Sequence, residues 1–150
     1  FRVLPTKQFD VTRRPVLRIT QGHDSDHKLL CNKVVDWVGE EDEHRLFLSV
    51  ITIGELQKGI AKLHLGSRRS RLEMWVAEDL TARFGRRILD VDIEVATAWG
   101  KMLGTAETAG EPLPVIDALI GATAAIHGCT VVTRNVSDLQ RTGADVFDPW

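Results

Sequence analysis

Apolar residues along this chain switch repeatedly between the spacing of a helix and that of a buried strand. Residues 45–51, Arg-Leu-Phe-Leu-Ser-Val-Ile, form a short run that predicts a strand. Leu56, Ile60 and Leu63 then recur at intervals of four and three, so 52–65 predicts a helix with these residues on one face. A second helix is expected over 71–84, a strand over 88–91 and a further helix over 93–108. After a loop at 110–114 come a helix of small residues ending at His127, a strand at 130–133 and a last short strand at 144–147. Upstream, 33–39 reads as a helix carrying Trp37. Strands separated by helices imply a parallel sheet with helices on both faces, an α/β architecture.

Composition narrows the reading. The 150 residues, 43% hydrophobic and 27% charged, suit one domain spanning 1–150 with a core large enough to fold without staples. No run reaches the length of a membrane span and the start has no signal-peptide pattern, so a cytoplasmic protein with no membrane partner is expected. Cys31 and Cys129 lack a CxxC partner and are expected as buried free thiols. A net charge of −2 argues against coating nucleic acid by charge alone. Lys58, Lys62, Arg68, Arg69 and Arg71 nevertheless form one basic cluster, and Arg83, Arg86 and Arg87 another. These are either phosphate-holding patches beside an acidic site or solvated helix faces. No Walker loop and no GxGxxG run supports a nucleotide binder.

The chemistry concentrates in residues 113–138. Asp117 opens a helix, and Asn135 and Asp138 follow the strand that ends at Thr133. Glu55 follows the earlier strand. In an open parallel sheet ligands bind at the carboxyl ends of the strands, and hard oxygen ligands meeting there take Mg²⁺ or Mn²⁺. Each residue also has a structural reading. Thr52-Ile-Gly-Glu55 fits a capping box, Asp117 complements a helix dipole, and Asn135 fits an N-cap. Asp117 is the hardest to dismiss, because Val115, Ile116, Ala118 and Leu119 around it predict a half-buried carboxylate, which is costly unless paired or on a metal.

Longer runs carry a likeness. They are Val34-Val-Asp-Trp37, Leu48-Ser-Val-Ile-Thr-Ile-Gly-Glu-Leu56, Gly85-Arg-Arg-Ile-Leu-Asp90, Leu113-Pro-Val-Ile-Asp-Ala-Leu-Ile-Gly-Ala-Thr-Ala124, Val132-Thr-Arg-Asn-Val-Ser-Asp-Leu139 and Val146-Phe-Asp-Pro-Trp150. From about Lys33 to Trp150 the chain resembles the PIN-domain ribonuclease toxins, in the VapC/FitB branch of bacterial toxin–antitoxin modules. The resemblance implies a PIN-like three-layer α/β/α fold with a central parallel sheet. It also implies a Mg²⁺- or Mn²⁺-dependent endoribonuclease that hydrolyses RNA phosphodiester bonds. Carried over by position, Glu55 and Asp117 become metal-site carboxylates, Asn135 and Asp138 adjoin them, and Thr133 supports the site through its hydroxyl. The implied partners are an antitoxin lying in a groove built on Leu56, Ile60 and Leu63, operator DNA reached only through that antitoxin, and a second toxin copy in a homodimer or higher assembly.

The N-terminus departs from the pattern. The family begins with a strand ending in an Asp-Thr-Asn run, and matching Arg13-Arg-Pro15 to the basic-Pro run after it puts Pro5-Thr6 in that place. Residues 1–32 are then atypical, with 16–32 as an extra segment. Asp10, Asp24 and Asp26 are candidate substitutes, Asp10 being the one carried forward as a metal ligand. His23-Asp-Ser-Asp-His27 reads as a metal box or as an exposed polar loop. Two functions follow as expectations. One is a ribonuclease toxin silenced by its antitoxin. The other is a catalytically impaired PIN-fold protein that retains antitoxin binding.

Overall fold

Five short parallel strands organise the chain in this computed structural model, which describes residues 16–18, 36–37 and 39–150. They are β1 (Val16–Arg18), β2 (Leu46–Ser49), β3 (Ile88–Leu89), β4 (Thr130–Val132) and β5 (Val146–Phe147). Their order across the sheet is β3-β2-β1-β4-β5. The helices are α1 (Val50–Ala61), α2 (Ser67–Met74), α3 (Thr81–Phe84), α4 (Ile93–Thr108), α5 (Val115–His127) and α6 (Val136–Gln140). Residues 36–37 and 39–40 are helical, in keeping with the helix expected there.

Register fixes which side chains share a face, because successive strand residues point to opposite sides. Phe47 and Val131 both pair with Leu17, and Val131 pairs with Val146, so these three line one face. There they meet Ile120 and Ala124 of α5 and Leu139 of α6. Leu48 pairs with Ile88 on the other face, where both meet Ile60, Val76 and Leu80. Leu46 and Val132 extend that face toward Trp37, Phe147 and Trp150. The result is helix, sheet, helix, as the sequence predicts.

Four of the five strands fall where expected, each a residue or more shorter. The fifth is a correction. Residues 16–32 read as an extra segment, yet Val16–Arg18 is the middle strand, paired with β2 on one side and β4 on the other. Three residues ending in an arginine carry no period, so neighbours rather than propensity create this strand. Pro5-Thr6, Asp10, the His23–His27 run and Cys31 lie outside the described residues.

Helix boundaries also move for identifiable reasons. Ser49 caps α1, its Oγ accepting from the Ile51 amide at 3.1 Å, so the helix opens before Thr52. The Thr52–Glu55 capping box therefore does not form. The helix expected over 71–84 begins at Ser67 and passes through a π-helical stretch, Trp75–Leu80, that turns both Val76 and Leu80 into the core. Leu56 and Ile60, expected in a partner groove, instead face the core, with Ile60 buried and Leu56 packed against it. The open apolar side chains nearby are Leu65, Met74 and Trp75. Cys129 is a buried free thiol, pushed up to about 11 by that burial.

Candidate functional site

All strands run parallel, so their carboxyl ends lie along one edge, and the helices that follow begin there. Ser49 ends β2 and Thr133 follows β4, and both hydroxyl side chains are fully buried. Thr133 Oγ1 accepts from the Asn135 backbone amide at 3.0 Å and sets the turn into α6. That turn aims the Asn135 side chain at α5, where Nδ2 donates to Asp117 Oδ2 at 3.2 Å. Asn135 stands at the N-cap position, but its side chain caps nothing and is spent on Asp117. The capping explanation for this residue falls.

Asp117 lies in the first turn of α5, more deeply buried than the half-buried position expected, at 6% exposure. Burial raises its carboxyl above the ordinary range, and the neighbouring Asp138 carboxylate raises it further. The Asn135 hydrogen bond pulls the other way, and Glu55 adds a smaller push upward. Glu55 and Asp138 therefore share the field of Asp117 without touching it. Glu55 is engaged by Lys58, whose Nζ donates to its two oxygens at 3.1 and 3.2 Å. Asp138 has Arg141 Nη1 at 4.0 Å.

The sequence thus brought forward residues that the fold does gather. Asp117, Asn135 and Thr133 form one bonded chain, and Glu55 and Asp138 flank it. Asp10 lies outside the described residues. Ser49 and Arg141 were missed. A serine just before a run of helical spacing was the available signal for Ser49; for Arg141 it was the three-residue spacing from Asp138, while its bonds to the carbonyls of Glu111 and Pro112 in a distant loop left none.

Among the described residues, no three His, Cys, Asp or Glu side chains converge closely enough to form a closed metal cage. The donors still fit Mg²⁺, which keeps several waters and binds through one or two carboxylates. A buried carboxylate with two more in its field is where such an ion lowers the electrostatic energy most. The basic residues are mostly committed elsewhere. Arg83 and Arg87 bind Glu43, Arg69 binds Glu73, and Arg71 Nε donates to the Ser67 carbonyl. Arg134, between Thr133 and Asn135, is exposed at the acidic edge itself.

Comparison with known proteins gives a consistent set. A family model described as PIN domain matches residues 27–144. The VapC ribonuclease Y4jK of Sinorhizobium fredii is 30% identical over 117 residues, covering 78% of this chain and 84% of that protein. Toxin FitB of Neisseria gonorrhoeae is 32% identical over 118 residues, covering 79% and 85%. A structure of FitAB bound to an IR36 DNA fragment superposes with a TM-score of 0.76 at 27% identity, covering 90% of this chain and 95% of the other.

Proposed function

The chain belongs to the PIN-domain family, in its VapC/FitB toxin branch, and on that premise we propose that it is a divalent-cation-dependent endoribonuclease toxin held in check by an antitoxin. One observation carries the reading: a buried Asp117, oriented by Asn135 and crowded by Asp138 and Glu55, at the carboxyl edge of a parallel sheet. In this reading Asp117 holds Mg²⁺ or Mn²⁺ directly, with Glu55 and Asp138 reaching it directly or through water. Such an ion, when bound, supplies Lewis-acid assistance to phosphodiester hydrolysis. The residues of the chain supply its placement. Asn135 fixes one oxygen of Asp117, Thr133 fixes Asn135, and Arg134 offers a cation to the phosphate backbone.

An antitoxin partner is supported by structural relatives that are toxin–antitoxin complexes, some of them on DNA. DNA contact is then a property of the complex. Leu65, Met74 and Trp75 are exposed apolar side chains along and beside α1 and α2 that such a partner could cover, with Leu56 and Ile60 of the three residues that the sequence indicated turned into the core instead. A homodimer or larger assembly belongs to the same reading. No helix among the described residues is long and apolar enough to cross a membrane.

A second reading rests on β1. This central strand ends at Arg18, flanked in register by Leu48 and Val132, and the sequence continues Ile19-Thr20-Gln21-Gly22 without a carboxylate. A site lacking an acid from the middle strand has less charge to offset cation dehydration. Catalysis is then impaired while antitoxin binding survives. Calorimetric titration of Mn²⁺ into the antitoxin-free chain, with Asp117→Ala beside it, separates the two. Binding that the substitution abolishes, together with Mn²⁺-dependent RNA cleavage, supports the nuclease. Absence of binding in both proteins rejects it and leaves the impaired form.

A further inference from the structure

We propose that Gly121 and Thr142 act as a spacer that sets the separation between Asp117 and Asp138. Asp117 and Gly121 lie four residues apart on α5, and Asp138 and Thr142 lie four residues apart on α6 and the turn that ends it. Each carboxylate is therefore about one helical turn from its own side of a single contact. The contact is close. A methyl group on Gly121 would overlap the Thr142 hydroxyl and stand 2.6 Å from its Cβ and 3.1 Å from its Cγ2. Among the described glycines it alone is crowded in this way.

Gly121 has no conformational reason to be glycine, since it sits inside a regular helix without a positive φ. Glycine is a poor helix residue, so the close approach is the feature it serves. Thr142 cannot swing aside. It is buried, its Oγ1 donates to the Leu139 carbonyl at 2.6 Å, and the same oxygen accepts from the Ala144 amide at 3.4 Å. The preceding residue holds the other side of the carboxylate. Arg141 Nη2 donates to the Pro112 carbonyl at 2.8 Å and to that of Glu111 at 3.3 Å, in the loop that leads into α5. The segment 141–142 thus grips the Asp117-bearing stretch before and after the acid. Cation sites tolerate little misplacement of their carboxylates, so the thickness of this contact governs the site.

The functional part of the proposal rests on Asp117 and Asp138 forming the cation edge; the spacing itself does not. The test uses the full chain with Gly121→Ala, Thr142→Gly and the double variant, read by crystal structures, Mn²⁺ calorimetry and thermal melts. In Gly121→Ala the two carboxylates move apart and Mn²⁺ affinity falls by about tenfold or more. The double variant, with the threonine side chain gone, restores both. A lower melting temperature with unchanged carboxylate separation and unchanged Mn²⁺ affinity in the folded protein overturns the spacer and leaves a packing contact. If Gly121→Ala does not fold, Thr142→Gly decides, because an unchanged separation there also overturns it. If the parent protein binds no Mn²⁺, the cation reading fails, while the carboxylate separations still decide the spacer.

Discussion

Glu43 and Asp117 are both carboxylates, and the fold treats them in opposite ways. Glu43 receives Arg83 Nε at 3.0 Å and Nη2 at 3.2 Å, and Arg87 Nη2 at 3.1 Å. Those partners hold its carboxyl down at about 2. Arg87 also donates to the carbonyls of Glu43, Leu46 and Arg83, and its guanidinium lies over the Phe84 ring. Every charge in this cluster has an opposite partner within bonding distance, two guanidiniums sharing one carboxylate, and the cluster fastens the end of the π-interrupted helix to the start of β2. Asp117 has burial, Asp138 and Glu55 against its charge, and only the amide of Asn135 in its favour. A cluster of opposite charges is complete as a structural device. A cluster of like charges costs stability and marks a place where a ligand is expected.

Four tests break or sharpen that contrast. Asn135→Ala removes the one group that favours the Asp117 charge and fixes its oxygen, and Mn²⁺ affinity should fall by about 10–100-fold. Urea unfolding in EDTA should show a loss of about 1 kcal/mol from the broken hydrogen bond to the buried carboxylate, and calorimetry beside unfolding reads both. Arg87→Ala should act on stability alone. It strips bonds from a part-buried network, lowering unfolding free energy by about 2 kcal/mol while leaving the Mn²⁺ titration as it was.

A third test uses pH and opposite signs. The Glu43 carboxyl is depressed when folded, so its stabilisation is present above 4.5 and is lost as pH falls from there through about 2. Glu43→Gln should lower stability at neutral pH and flatten the acid limb. The Asp117 carboxyl is raised when folded, so stability is lost as pH rises from the ordinary aspartate range through its raised value. Asp117→Asn should therefore stabilise the cation-free protein at neutral pH. Mn²⁺ affinity of the parent should climb with pH over the same window, since cation and proton compete for one carboxylate. Urea melts in EDTA from about pH 3 to 8 check both directions, and a shared sign would end the contrast. The smallest effect belongs to Lys58→Ala. Its pair with Glu55 is solvent-exposed, so stability should shift by at most about 0.5 kcal/mol.

Much of this was legible in the sequence because it is local. Ile93–Thr108 has the bounds its periodicity predicts, and Val115–His127 ends at Gly128, whose left-handed φ of 62° closes the helix. Asp117 was readable as a half-buried acid from its apolar neighbours, and the fold buries it further. Asn135 was readable as its companion from their places at the ends of successive elements. The failures depend on contacts between distant segments. Val16–Arg18 is a strand only because β2 and β4 lie on either side of it. The partner face was misassigned because a 3.6-residue period shows that a helix has an apolar side without saying which layer covers it. Ile60 turned out to belong to the core. The Gly121–Thr142 contact leaves only a glycine in a helix of small residues as its trace.

The position of β1 has a consequence for how the chain is made. The first described strand is the middle of the sheet, and one of its two neighbours, β4, is among the last elements in the chain. Pairings between such distant segments form slowly, and a chain emerging from the ribosome cannot close them until its far end is available. Asp117 and Asn135 follow β1 by about as many residues. The acidic edge is therefore assembled only after the chain has been made through β4 and α6, long after β1 and β2 have emerged.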